Sequence, residues 1–138
     1  MPNLTEACIL TGEEYKDFGY DREYLERIMK KLLAFGCGNV VVTGVSFDNN
    51  EMGVACFNGE SGKYSEFFHK RFKGIYCGAG DSLASAFTGA LMNNIGFEES
   101  LEIAEKFVSD AVRFSKENES RWYGINFEYA IPKYIEMI

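Results

Sequence analysis

The sequence predicts an α/β fold, because helical segments and short runs of β-branched residues follow one another along the chain. A helical segment over residues 21–35 leads directly into a β-branched run over residues 39–44. Two extended stretches and two further helical segments come next. The 138 residues are a usual size for one domain, and no linker or repeat divides them, so we expect a single domain over residues 1–138.

A short helix near the N-terminus is predicted from Asn3-Leu4-Thr5-Glu6. Asn3 suits the N-cap position, and the Glu6 carboxylate, three residues later, can return a hydrogen bond to the cap. This capping box by itself would explain both residues.

The next helix is predicted from the spacing of its apolar residues. These residues recur every three or four positions, which places them on one helical face: Leu25, Ile28, Met29, Leu32 and Leu33. Asp21 can cap the start of this helix, and Gly36 can end it.

Extended structure is predicted for three segments. The run Asn39-Val40-Val41-Val42-Thr43-Gly44 is β-branched on both faces, which favours a strand buried in a parallel sheet. Residues 51–58 and 63–71 are joined by the glycine-containing Asn58-Gly59-Glu60-Ser61-Gly62, which predicts an antiparallel hairpin.

The second half of the chain is predicted to be helical. Apolar and small residues after Gly80 predict one helix, Gly96 interrupts it, and apolar residues from Leu101 to Val112 predict a second, so that the two form an αα-hairpin. The apolar segment 127–138 contains Pro132, and we expect it to be a docked tail with a short final helix.

Composition and charge exclude several functions. The net charge of −7 argues against binding to nucleic acid or to an anionic membrane surface. With no apolar run long enough to cross a bilayer and no signal sequence, we expect a cytoplasmic protein. The four cysteines are widely spaced with a single histidine, which argues against a zinc site and favours buried or neutral thiols.

The strongest candidate site is Cys77-Gly78-Ala79-Gly80-Asp81, which opens directly into a predicted helix. A Gly-x-Gly turn lets backbone N–H groups converge, and the first helical turn adds free donors and a partial positive charge, so the segment can form an anion hole. A carboxylate on that turn can accept a proton from a hydroxyl during phosphoryl transfer. The alternative is a glycine-rich turn in which Asp81 is only a favourable charge at a helix start.

The order of the motifs along the chain is informative. It runs Pro2-Asn3-Leu4-Thr5-Glu6-Ala7, Leu10-Thr11-Gly12, Val41-Val42-Thr43-Gly44, Gly78-Ala79-Gly80-Asp81, Phe87-Thr88-Gly89-Ala90-Leu91 and Arg121-Trp122-Tyr123-Gly124-Ile125-Asn126-Phe127-Glu128. This order resembles the C-terminal half of pyridoxal kinases in the ribokinase-like superfamily. The resemblance implies a three-layer α/β/α fold, represented by its C-terminal half, with a short mixed sheet and flanking helices.

The resemblance also implies a reaction, the phosphorylation of the hydroxymethyl group of pyridoxal or a related vitamer by ATP with Mg²⁺. In such kinases the segment that matches Asn3 and Glu6 helps to organise phosphate and magnesium, which assigns Glu6 as the metal ligand. The threonine that matches Thr43, which Gly44 follows, approaches the nucleotide phosphates.

For the glycine-rich turn, the resemblance implies that Gly78, Ala79 and Gly80 form the anion hole and that Asp81 is the catalytic base. Hydroxymethylpyrimidine phosphate kinases commonly have Cys in place of Asp81, and sugar kinases usually precede the turn with Asp-Thr where this chain has Tyr76-Cys77. Ala79 departs from the Thr usual in pyridoxal kinases, so this position does not favour pyridoxal as the substrate. Cys77 is interpreted as a packed residue rather than a reactive thiol.

Nothing in the chain matches the N-terminal half of such kinases, which holds most of the central sheet and the pyridoxal-facing residues. We therefore expect the chain to act as a homo-oligomer or together with the missing half. Two alternatives stay open: a non-catalytic nucleotide-binding or interaction module derived from such a kinase, and a fragment of a related hydroxymethylpyrimidine or sugar kinase.

Overall fold

A computed structural model describes residues 1–117 and 124–138, and these residues form two compact units, Met1–Arg71 and Phe72–Ile138. The elements of the first unit are α1 (Leu4–Thr11), α2 (Arg22–Leu33), β1 (Asn39–Val45), β2 (Glu51–Asn58) and β3 (Tyr64–Lys70). Those of the second are α3 (Ala79–Met92), α4 (Phe97–Glu117), a 3-10 turn (Phe127–Tyr129) and α5 (Ile131–Ile135). The α/β class is confirmed.

Helix α2 forms where its apolar spacing predicts it. The Asp21 carboxylate caps the start by accepting a hydrogen bond from the Tyr24 N–H at 2.9 Å. At the other end, Gly36 adopts a positive φ of 96° and donates its N–H to the Leu33 carbonyl at 2.9 Å. Both predicted helix signals therefore act as expected.

The three strands form one sheet in the order β1-β2-β3, and both pairs are antiparallel. The hairpin of β2 and β3 is confirmed. The parallel sheet predicted around β1 is wrong for its pairing with β2, which is antiparallel, although β1 also forms an isolated parallel bridge between Asn3 and Thr43. Valines on both faces of β1 are buried, with Val41 only 4% exposed, yet burial reports on the faces of a strand and not on its direction. The short connection between Val45 and Glu51 decides the direction, because a parallel crossover needs about a dozen residues or more.

Helices α1 and α2 pack on one face of this sheet and form the core of the first unit. Alternate residues of β1 and β2 supply the sheet side of the core, as their period of two requires. The core comprises Leu4, Ala7, Cys8, Tyr20, Tyr24, Leu25, Ile28, Met29, Leu32, Val40, Val42, Val45, Ala55 and Phe57. Between β2 and β3, a side chain at Gly53 would place a Cβ 2.0 Å from the Phe67 carbonyl oxygen, so the close approach of these strands requires glycine.

In the second unit, α3 and α4 form the predicted αα-hairpin, and the C-terminal segment docks on it. The Tyr134 hydroxyl of α5 donates to the Ala86 carbonyl of α3 at 2.7 Å, and Lys133 Nζ lies 2.6 Å from Asp110 Oδ2 of α4. Tyr134 also lies over Gly89, where a Cβ would come within 2.5 Å of the phenolic oxygen. Across the described ranges, no helix is both long and apolar enough to span a membrane.

Candidate functional site

The glycine-rich turn enters α3 as a left-handed cap. Gly78 has a φ of 84°, a conformation that favours glycine, and it stands at the N-cap position. Its carbonyl accepts the Ser82 N–H at 2.9 Å, and the Ala79 N–H donates to the Tyr76 carbonyl at 3.3 Å. No side chain among the described residues caps this helix start.

The turn leaves backbone donors available. The N–H groups of Gly78, Gly80 and Asp81 donate to no acceptor within the part of the chain that the structure describes. Three free donors at the positive end of a helix of 14 residues favour an anion. Asp81 is exposed beside these donors, so a carboxylate and free N–H groups lie together on one helical turn.

An apolar groove begins at Asp81. Its volume is about 570 Å³, and it lies between α3, α4 and the C-terminal segment. The lining residues are Asp81, Ser82, Ser85, Ala86, Gly89, Phe107, Phe127, Ile131, Tyr134, Ile135 and Ile138. This α3–α5 groove was not predicted. The apolar pattern of residues 127–138 indicates that the tail docks, but it does not indicate where a cavity remains between the tail and the helices.

The capping box predicted at α1 is present. The Glu6 N–H donates to Asn3 Oδ1 at 2.9 Å, and the Asn3 N–H donates to Glu6 Oε2 at 2.8 Å. Capping therefore uses one carboxylate oxygen of Glu6, while Oε1 has no hydrogen bond to a described residue. Glu6 is exposed, so that second oxygen can bind a ligand.

Thr43 and Gly44 lie beside the start of α1. The Thr43 N–H donates to the Pro2 carbonyl at 3.0 Å, and Asn3 and Thr43 form an isolated parallel bridge. Gly44 follows with a φ of 68°, at the point where the register between β1 and β2 shifts. The structure thus brings Asn3, Thr43 and Gly44 together in the first unit, with Glu6 capping onto Asn3.

Cys77 differs from its interpretation as a packed residue. It is an exposed free cysteine, as is Cys37, whereas Cys8 and Cys56 are buried. The physical reason is that Cys77 precedes a left-handed cap at the surface, where none of the described elements covers its side chain.

A charged cluster on the first unit was also missed. The Glu13 carboxylate accepts hydrogen bonds from Arg27 at 3.2 Å and lies 2.7 Å from Lys31 Nζ. The hydrogen bonds and positive charges of these two residues lower the pKa of Glu13 from 4.5 to about 2. The helical spacing of Arg27 and Lys31 could have indicated a shared carboxylate, but nothing local identifies Glu13 as that carboxylate.

Among the residues that the structure describes, no group of three or more His, Cys, Asp or Glu side chains could hold a metal ion by itself. A single carboxylate such as Glu6 suits Mg²⁺, which is commonly bound through one or two carboxylates together with substrate phosphates.

The sequence pattern of the phosphomethylpyrimidine kinase family matches residues 1–125. No curated protein matches the chain significantly. Within the closing motif that carries the resemblance to pyridoxal kinases, Arg121, Trp122 and Tyr123 lie outside the described residues.

Solved structures agree with the family match. A putative phosphomethylpyrimidine kinase from Bacteroides thetaiotaomicron is 28% identical with a TM-score of 0.86, over 94% of this chain and 44% of that one. Pyridoxal kinase from Lactobacillus plantarum is 26% identical with a TM-score of 0.81, over 99% of this chain and 48% of that one. Pyridoxal kinase from Staphylococcus aureus in complex with ADP is 24% identical with a TM-score of 0.70, over 81% and 40%, and shows a shared fold alone.

The chain spans less than half the length of these solved relatives. The resemblance in fold to the ribokinase-like pyridoxal kinases is confirmed. On the match over residues 1–125, this chain belongs to the phosphomethylpyrimidine kinase family.

Proposed function

We propose that this chain carries the phosphate-binding turn and the general base of a kinase that transfers the γ-phosphoryl group of ATP to the hydroxymethyl group of pyridoxal or a related vitamer. One observation supports this most: the exposed carboxylate of Asp81 stands on the same helical turn as the free N–H groups of Gly78 and Gly80. A base and an anion hole in one place are what phosphoryl transfer requires.

In this mechanism, Asp81 accepts the proton of the acceptor hydroxyl. The hydroxyl oxygen forms a bond to the γ-phosphorus as the bond from that phosphorus to the leaving oxygen of ADP breaks. The free N–H groups of Gly78 and Gly80 face the phosphoryl oxygens and stabilise the charge that develops on them, whereas the Ala79 N–H is already bonded to the Tyr76 carbonyl and Ala79 contributes only to the shape of the turn. The positions of the two free N–H groups are set before the reaction by the left-handed cap, so little reorganisation is needed.

We propose that residues of the first unit also contact the nucleotide. Thr43 and Gly44 lie at the bulged end of β1 and contact nucleotide phosphates, and Asn3 and Glu6 organise phosphate and magnesium. Glu6 Oε1 is the oxygen that would hold Mg²⁺, since Oε2 is used by the capping box. When bound, Mg²⁺ neutralises charge on the phosphates.

Pyridoxal is proposed over hydroxymethylpyrimidine because of Asp81, where hydroxymethylpyrimidine phosphate kinases commonly have Cys. The Bacteroides relative supports this choice: a second structure of it, 26% identical with a TM-score of 0.85 over 97% of this chain and 48% of that one, is described as a form with pyridoxal. We further propose that residues 1–138 are one domain, the C-terminal portion of the kinase fold, which acts as a homo-oligomer or together with the rest of that fold.

A second candidate function is a non-catalytic nucleotide-binding or interaction module. The observation that favours it is the exposed apolar surface of α1, where Ile9 is 77% and Leu10 is 56% exposed, in a chain that spans less than half of its relatives. Such a surface suits a partner more than solvent.

A coupled ADP-release assay beside a calorimetric ATP titration, both run on the chain combined with the rest of the kinase fold, separates the two functions. The assay is run with pyridoxal and, in parallel, with hydroxymethylpyrimidine as acceptor, and the Asp81→Asn variant serves as the catalytic control. ADP release that depends on pyridoxal and on Asp81 supports the kinase. ATP binding without turnover under any acceptor supports the module.

A further inference from the structure

The turn before α3 is tied to the C-terminal segment by a backbone hydrogen bond. The Ile125 N–H donates to the Cys77 carbonyl at 3.2 Å. The Cys77 carbonyl and the Gly78 N–H belong to one planar trans peptide and point in opposite directions, so a donor on the carbonyl fixes the direction of the N–H. Because Gly78 is conformationally permissive and no described side chain caps α3, this outside contact restrains the turn.

The next residue of that segment is held by a serine of α4. The Asn126 N–H donates to Ser115 Oγ at 2.6 Å, and Ser115 Oγ donates to the Ala111 carbonyl at 2.7 Å. A hydroxyl has one proton and two lone pairs, so both bonds form together. Asn126 is only 2% exposed. If the Ser115 hydroxyl were removed, the Asn126 N–H would lose its acceptor, and bulk water could not take the acceptor's place.

We infer that Ser115 is a positioning residue for the phosphate-binding turn. By holding Asn126 against α4, Ser115 keeps the Ile125 N–H on the Cys77 carbonyl, and the Gly78 N–H stays aimed at a bound phosphate oxygen. The inference rests on the proposed function for the identity of that ligand, but the chain of hydrogen bonds lies wholly within the second unit. A helical serine bonded only to the preceding turn would be a structural residue, whereas Ser115 also bonds a residue 11 positions away.

The test compares three variants of the full chain by two measurements. Amide ¹H–¹⁵N resonances report the geometry of Gly78 and Ile125 without any ligand, and calorimetry gives the Kd for ADP. Ser115→Ala is expected to shift both resonances and to raise the Kd about tenfold, the size of effect that loss of one well-placed hydrogen bond produces. Ser115→Thr keeps the hydroxyl and is expected to restore both values.

Thr88→Ala is the matched control. It removes a hydroxyl that bonds only the preceding turn of α3, at 2.8 Å from the Ala84 carbonyl oxygen, and it is expected to leave the Gly78 resonance and the Kd unchanged. If Ser115→Ala does not fold, Ser115→Cys takes its place, because it keeps the side-chain size and weakens both hydrogen bonds.

The positioning role would be overturned if the Gly78 and Ile125 resonances did not shift in the folded Ser115→Ala or Ser115→Cys variant. It would also be overturned if the same shifts appeared in Ser115→Thr. A wild-type chain that binds no ADP would contradict the proposed function instead, and the two resonances would still decide the role of Ser115.

Discussion

Asn3 and Thr43 lie side by side in a parallel bridge, in which the Thr43 N–H donates to the carbonyl of Pro2 at 3.0 Å. The two residues are 40 positions apart in sequence, and the resemblance to pyridoxal kinases implies a nucleotide-binding role for both. The bridge places the capping box of α1 against the bulged end of β1. One edge of the first unit therefore carries Thr43 and Gly44 beside Asn3, onto which Glu6 caps.

Replacement of the proposed base tests the chemistry. In a preparation that supports turnover, Asp81→Asn is expected to lower kcat by about 10²–10⁴, because Asn keeps the size of Asp but cannot accept the proton. The Kd for ATP, measured by calorimetry, should stay nearly the same. Glu99→Gln, the same chemical change in the first turn of α4, is the control and should leave both values unchanged. Full turnover by the Asp81 variant would remove Asp81 as the base.

Replacement of Glu6 separates metal binding from capping. The Glu6→Gln side chain can still accept the Asn3 N–H, so the melting temperature should change little, while the Mg²⁺ concentration for half-maximal activity should rise. Asn3→Ala provides the comparison, since loss of an N-cap costs about 0.5–2 kcal/mol of stability. An unchanged magnesium curve together with a lowered melting temperature would show that Glu6 serves only as a cap.

The pKa of Glu13 predicts a pH dependence of stability. Because Arg27 and Lys31 lower this pKa from 4.5 to about 2 in the folded chain, the cluster stabilises the fold above pH 4.5. That contribution is lost as the pH falls from about 4.5 toward about 2 and the carboxylate is protonated.

Melting temperatures measured from pH 7 to pH 2.5 check this prediction. Glu13→Gln should melt below wild type at neutral pH, and the gap should close as the pH falls through that range. Glu14→Gln, whose side chain forms no ion pair with a described residue, should track wild type throughout. A gap that is constant with pH would show that charge on Glu13 does not act on stability.

The chain by itself is expected to self-associate, to bind nucleotide weakly and to show little or no pyridoxal kinase activity. Its exposed Ile9 and Leu10 favour association. Catalysis needs the acceptor to be positioned against ATP, which can contribute about 7–11 kcal/mol, and we expect this positioning to require the rest of the kinase fold. Sedimentation velocity and a kinase assay on the isolated chain measure these properties.

Paired variants locate the associating surface. Ile9→Gln with Leu10→Gln should reduce association, whereas Met92→Gln, at an equally exposed position of the other unit, should not. A stable wild-type monomer that phosphorylates pyridoxal at ordinary kinase rates would contradict the expected self-association and the expected lack of kinase activity.

The sequence predicts the elements of this protein well because their signals are local. Each of these signals involves residues only a few positions apart, and each is found in the structure: the apolar spacing of α2, the Asp21 cap and the glycine-rich hairpin loop. The capping box of Asn3 and Glu6 belongs to the same class.

What could not be predicted has two sources. The β1 valines report burial but not direction, which is set by the short connection to β2. The exposure of Cys77 depends on how residues outside its own segment pack. The Glu13 cluster joins Glu13 to two residues of α2, and the Ser115 hydroxyl joins α4 to Asn126, which comes 11 positions later. A single sequence contains no local signal for such contacts.

The central claim is that the turn from Gly78 to Asp81 binds the phosphates of a nucleotide. Amide ¹H–¹⁵N resonances followed during an ADP titration of the chain test it most directly, because they report each N–H group separately and detect weak binding. We expect the largest shifts at Gly78, Gly80 and Asp81, and we expect inorganic phosphate at high concentration to shift the same three resonances in the same direction. Shifts confined to other parts of the chain, or saturation by ADP with these three resonances unmoved, would contradict it.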